Sequence, residues 1–323
     1  MRLDVTAKTL ILTAALVMLI GTIRSGTVMG AHLPETFWAQ KLLWPPEFDA
    51  VVAGDSRVYR GVSPGAMETQ LPGMRIANFG FSSCALTKPY LDAVESLLDP
   101  HSPQPTIILG VTAGTLTPGS AKQNGFLSLR KMRRFELLQL ASLDRLLFFF
   151  SPYDLEEARN LFRKDKTGYT VVWHPDGWVE SRKVPEDPTE AIRVYRRQAR
   201  TDRQQARVSE PIIKDLLRTV HAWRQRGIVV YGFRPPTPQA MVDVETRWMG
   251  FDEPAFVARF REAGGVWLPF DAERYHSYDG SHLRDDAAVE FSKDLARSIQ
   301  PFLLVRADDR SGEHHAAPVT VVR

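Results

Sequence analysis

The sequence predicts a three-layer α/β/α fold built on a five-stranded parallel sheet. Three observations predict it. Five short, nearly continuous apolar runs are bounded by Gly and Pro: FDAVVAGDS, MRIANFGFSS, TIILGVTAGT, GIVVYGFRPP and GVWLPFDAE. Runs of this kind suit strands buried on both faces. Segments with apolar residues at helical spacing lie between most of them. Strand, helix, strand in that order calls for parallel neighbours with helices covering the sheet.

The elements follow in order. Arg2 and Lys8 precede TLILTAALVMLIGTI, Thr9 to Ile23, an uncharged apolar run of about 15 residues. A membrane-spanning helix needs roughly 17–25 residues. The run therefore lies between a signal-peptide core and an uncleaved signal anchor. Val28 and Gly30 are small enough for cleavage before Ala31, but no A-x-A is present. The reading adopted is an anchor over residues 1–30, with a buried N-terminal helix as the alternative. Its basic flank keeps the N-terminus in the cytoplasm and sends the main domain out, to the periplasm or the cell exterior. LPETFWAQKLLWPPEFD, Leu33 to Asp49, then reads as a short helix and a linker.

The main domain is expected over 31–305. Its helices are expected over Lys88–Asp99, Glu210–Gly227 and Glu253–Gly265, with a last one from Asp285. Gly227 and Gly264 fall where helix C-termini end. Between the third and fourth strands, about 118–226 exceeds a plain connection and reads as an insertion, a cap beside the carboxyl edge of the sheet. Within it, LSLRKMRRFELLQLASLDRLLFFF reads as helix and GYTVVWHPDGWVESRK as a hairpin turning at HPDG. IRVYRRQARTDRQQARV reads as a basic helix with a solvated face. Residues 306–323 read as a disordered tail, and His314 and His315 within it as no metal site.

Net charge is +3, from 41 basic and 38 acidic residues. So small an excess argues against a nucleic-acid partner. Cys84 is the single cysteine. That excludes an intramolecular disulfide and a zinc site built on paired cysteines, and no metal or cofactor is expected. Within SSCAL it reads as a small buried side chain rather than a nucleophile.

Ligands of parallel α/β sheets bind beyond the carboxyl ends of the strands. Ser56, in VVAGDSRVYRG, sits just past the first strand. A serine hydroxyl needs a base to become a nucleophile, and the base needs an orienting acid. HSYDGSHLRDD supplies both after the fifth strand: Asp279 and, three residues on, His282. The plain alternative makes Asp55 and Ser56 a turn and helix cap.

GDS after the first strand and D-x-x-H near the C-terminus resemble the SGNH, or GDSL-type, hydrolase superfamily. The resemblance covers most of Asp49 to Leu304 outside the insertion and implies a flavodoxin-like SGNH fold. It makes Ser56 the nucleophile, with Asp279 and His282 completing the triad. It also implies oxyanion donors at Ser56 and at Gly80 in NFGFSS. The family's G-x-N block reads Gly110-Val111-Thr112 here, so either Thr112, with a hydroxyl in place of an amide, a neighbouring threonine or another group takes the third donor position, or the enzyme is slow. Arg57 is a candidate substrate-binding residue for an acidic sugar or phosphate, or else a salt-bridge partner of a local acid such as Asp55. Trp173 and Trp178 are candidates for a sugar platform or for packing.

GDSR followed by YRGVSP, the late DGSHL and the apolar N-terminus look like the envelope branch of the superfamily. That likeness implies a serine-dependent O-acyl (acetyl) esterase or acyltransferase, with acylated polysaccharide or another acyl donor as substrate. It also implies a multi-pass membrane acyltransferase as a possible partner. The competing expectation is a catalytically impaired SGNH-fold protein that binds glycan for such an enzyme.

Overall fold

The computed structural model describes residues 4–27, 34–148 and 168–302. At its centre is a parallel sheet formed by β1 (Ala50–Ala53), β2 (Ile76–Asn78), β3 (Thr106–Gly110), β6 (Val229–Phe233) and β7 (Val266–Leu268). The strand order is β2-β1-β3-β6-β7. All five apolar runs became its strands. Val51 pairs with Ala77 on one side and Ile107 on the other; Ile108 pairs with Tyr231, and Gly232 with Trp267.

Alternation along the strands divides the core in two. Val51, Ala53, Ile107 and Leu109 point to one face, where helices Lys88–Glu95, Glu210–Gln225 and Glu253–Glu262 cover them. Ala50, Val52 and Ile108 point to the other, under helices Ser56–Gly61, Pro64–Glu68 and Asp285–Ile299. With both faces covered, β1, β2 and β3 are buried throughout. Gly227 and Gly264 follow their helices with φ of +84° and +92°, left-handed stops that cost glycine little.

Among the described residues, the chain between β3 and β6 adds no strand to this sheet. Its hairpin, β4 (Gly168–Trp173) and β5 (Val179–Val184), pairs only with itself and turns at His174–Gly177. The expected basic helix is two helices, Glu190–Thr201 and Arg203–Ala206. The break is at Asp202, whose side chain caps the second by accepting from the Gln205 amide at 3.3 Å. An aspartate competes well for backbone N–H groups at a helix start, which explains why a continuous basic pattern is interrupted there.

Helix Val5–Thr27 covers the N-terminal apolar run. Its described side chains include Leu10, Ile11, Leu12 and Leu16, all exposed. Among the described residues, no helix is long and apolar enough to cross a membrane. The cleavage-site residues Val28, Gly30 and Ala31 and the tail 306–323 lie outside the described residues.

Candidate active site

β1 ends at Ala53, and after Gly54 and Asp55 helix Ser56–Gly61 begins. Gly54 permits the tight join: a Cβ there would lie 2.4 Å from Val58 Cγ2 and 2.8 Å from the Gly110 carbonyl oxygen. Asp55 caps the helix by accepting from the Arg57 amide at 3.0 Å. Ser56 thus occupies the first helical position, where a backbone N–H has no carbonyl of its own helix to bond.

The loop after β7 brings the base. His282 Nε2 lies 2.8 Å from Ser56 Oγ, and His282 Nδ1 lies 2.7 Å from Asp279 Oδ2. The other Asp279 oxygen accepts from the amides of Ser281 at 2.8 Å and His282 at 2.7 Å. Three residues named from sequence are therefore brought together, at the distances that a nucleophile, a base and an orienting acid require.

The electrostatics suit those roles. Burial pushes the Asp279 pKa up, but the His282 ring and the two amides outweigh it, so the carboxylate titrates below its usual value. Burial pulls His282 down. Asp279 opposes this, and the charges of Arg60 and Arg57 reinforce it. The net effect favours the neutral imidazole, the form that accepts a proton. With Nδ1–H donating to Asp279, the Nε2 lone pair faces Ser56.

Two expected oxyanion donors are otherwise engaged. The Thr112 hydroxyl donates to Asp55 Oδ2 at 2.7 Å and accepts from the Thr115 amide at 3.1 Å. A hydroxyl has one proton, so Thr112 serves the helix cap rather than the reacting carbonyl. The Gly80 amide donates to Asn78 Oδ1 at 3.0 Å. Asn78 Nδ2 in turn donates to the Val58 and Val62 carbonyls, tying the end of β2 to the Ser56 helix. The Ser56 amide is the expected donor that remains.

The salt-bridge partner of Arg57 is Glu245 rather than Asp55. The Arg57 side chain is buried, pairs with Glu245 at 2.6 Å, donates from Nε to Ser281 Oγ at 2.9 Å and lies over the Tyr195 ring. Glu245 also pairs with Arg234. Arg57 thereby braces the His282 loop against helix Gln239–Arg247. A distant glutamate had no local signal to mark it as the partner.

Trp173 and Trp178 pack rather than form a platform. Trp173 meets Phe37 and Trp38, and Trp178 is buried and donates to the Arg60 carbonyl at 2.9 Å. Cys84 is fully buried, and burial raises its thiol pKa well above the ordinary value, which makes it inert as a nucleophile.

Sequence reasoning missed Lys41. It is completely buried, and its Nζ donates to the carbonyls of Gly80 at 2.8 Å and Gly177 at 3.2 Å among the rings of Phe37, Trp38, Trp44 and Phe81. It pins the Gly80 loop to the hairpin turn. In sequence it is one lysine in AQKLLW, with nothing local to set it apart.

A cavity of about 300 Å³ opens beside Ser56. Part of its wall belongs to the sheet edge: Asp55, Ser83 and Gly114. Much of the rest comes from the segment between β3 and β6, including Gln123, Tyr195, Gln198 and Gln205. Ser83 holds a left-handed backbone (φ +50°), a strained state for a residue other than glycine. Among the described residues there is no cluster of metal-ligating side chains. Compared with known proteins, the chain matches no family model and no curated protein.

Proposed function

We propose that the protein is a serine-dependent O-acyl esterase or acyltransferase of SGNH type, acting on an envelope or extracellular polysaccharide. The observation that carries this reading is the continuous chain Ser56 Oγ–His282 Nε2 and His282 Nδ1–Asp279, beside an open cavity. The sheet order and the placement of Ser56 beyond β1 accord with the flavodoxin-like SGNH arrangement.

The chemistry follows from the groups present. Ser56 Oγ attacks the ester carbonyl carbon while its proton passes to His282 Nε2. The imidazolium is stabilised by Asp279, and the Ser56 amide donates to the developing oxyanion. The C–O bond to the sugar breaks, and His282 returns the proton to the departing alkoxide. Water or a second sugar hydroxyl then attacks the acyl-serine by the same steps in reverse, giving hydrolysis or transfer.

The anchor belongs to this proposal. The Thr9–Ile23 run is uncharged, and Leu10, Ile11, Leu12 and Leu16 expose apolar surface that lipid would cover. With residues 1–30 as anchor, the basic flank puts the catalytic domain outside the cytoplasm. A multi-pass acyltransferase as partner rests on the resemblance to the envelope branch.

One observation favours the second reading, a glycan-binding protein with little turnover: the Gly80 amide and the Thr112 hydroxyl are both engaged within the chain. A fluorophosphonate probe separates the two. The esterase reading expects labelling at Ser56 and its loss in Ser56→Ala. An unlabelled wild-type protein that still binds glycan would favour the second.

A further inference from the structure

We propose that the cavity at Ser56 selects an uncharged, hydroxyl-rich unit bearing a short acyl group, a neutral sugar ester, and discriminates against acidic sugars and phosphorylated ones. This inference rests on the reading of Ser56 as nucleophile and adds the substrate class.

Its lining carries the inference. The polar groups are amides and hydroxyls, among them Gln123, Gln198, Gln205, Thr117, Ser120 and Thr201. Each amide donates and accepts at once, as each sugar hydroxyl does. No lysine, arginine or histidine is among the described lining residues, whereas two carboxylates, Asp55 and Asp202, are. A carboxylate or phosphate entering here meets like charge and no counter-ion. Among the described lining residues the apolar side chains are those of Tyr195, Ala206 and Met249.

The basic helix reinforces the point because its two faces differ. Tyr195, Gln198 and Asp202, spaced three and four apart, face the cavity. Its arginines do not line it. Arg193 pairs with Asp187, Arg200 lies over the Trp248 ring at 4.7 Å, and Arg196 and Arg197 are exposed outside the lining. Arg57, the cation nearest Ser56 in sequence, pairs through Nη1 with Glu245 and is not among the described lining residues, while its buried Nη2 has no hydrogen-bond partner among the described residues. Gln205 supplies an independent sign. Its Oε1 is shielded from solvent and has no hydrogen-bond partner among the described residues. A buried acceptor without a donor is costly unless something fills it, and a sugar hydroxyl that reaches it supplies the missing donor.

The test compares two small esters that differ only by a carboxylate: an acetylated methyl glucoside and the acetylated methyl glucuronide. The full-length protein in detergent is expected to turn over the neutral ester with kcat/KM at least about tenfold higher. Gln198→Lys is expected to narrow or reverse that ratio by placing a cation in the wall. Titration of the same pair into Ser56→Ala reads the preference as binding, without turnover. Equal or better use of the acidic ester, or a ratio unmoved by Gln198→Lys, overturns the inference. So does failure to use or bind either sugar ester. Hydrolysis of an aryl acetate keeps the two readings apart. If it depends on Ser56 while the sugar preference fails, only this inference falls. If it survives Ser56→Ala, the nucleophile assignment falls instead.

Discussion

The Thr112 hydroxyl donates to Asp55 Oδ2 across 2.7 Å, inside the turn that presents Ser56. The position that resembles an oxyanion donor is thus a brace for the helix cap. Thr112→Val strands a buried carboxylate oxygen and the Thr115 amide, and losing such partners costs about 1–3 kcal/mol. A lower thermal midpoint is expected, with turnover of an aryl acetate by the folded protein within about tenfold of wild type. An oxyanion donor would instead cost about 10²–10³ in kcat. A loss of that size with an unchanged midpoint would return Thr112 to the oxyanion role.

On the proposed mechanism His282 sets the acid limb of the pH profile, because only its neutral form accepts the Ser56 proton. Burial holds its pKa below the ordinary 6.5. Activity should therefore rise with pH through a midpoint below 6.5. Arg60→Gln removes one charge that lowers this pKa, so the limb should move to higher pH while its shape is kept. The limb is read from kcat/KM on an aryl acetate; a wild-type limb centred above 6.5 contradicts the assignment.

Removing Ser56 or His282 should be nearly equivalent, since the groups act as a unit. Ser56→Ala, His282→Ala and the double variant should each lose about 10⁴-fold or more, with no additivity. Asp279→Asn should lose about 10⁴-fold by favouring the wrong tautomer. Single-turnover kinetics on a nitrophenyl ester measures all four. Additive losses would mean that the two residues act independently.

Arg57→Met leaves Glu245 buried with Arg234 as its remaining ionic partner. Breaking a buried pair costs about 3–5 kcal/mol, and Arg234 should hold the loss toward the lower end. Denaturant unfolding should show that loss. A substrate-contacting Arg57 would instead raise KM and leave the unfolding midpoint in place.

Burial keeps the Lys41 pKa well below the ordinary 10.5, although Asp176 and Cys84 pull it upward. The unfolded chain therefore binds the proton more tightly than the folded one. Between the folded pKa and 10.5, stability gains from Lys41 as pH rises; below the folded pKa the cost is constant. The stability of wild type relative to Lys41→Met should increase through the alkaline range, other groups cancelling. Thermal unfolding of both proteins across that range checks the sign, and a difference that is flat or falls would place the folded pKa at or above 10.5.

Local chemistry made much of this molecule legible in its sequence. The five apolar runs became the five strands because each needs only its own residues to be buried on two faces and a glycine or proline to end it. The hairpin at HPDG followed from the same local rules. Asp279 and His282 could be paired because three residues separate them. Tertiary structure decided the rest. Ser56 and His282 meet across 226 positions because β1 and the chain after β7 both end at the sheet's carboxyl edge. Arg57 finds Glu245 across 188 positions, on a helix that nothing near Arg57 identifies. Thr112 and Gly80 had the right residue types for oxyanion donors, but each has one proton to give. Which acceptor receives it depends on the closest oxygen in the folded chain, Asp55 for one and Asn78 for the other.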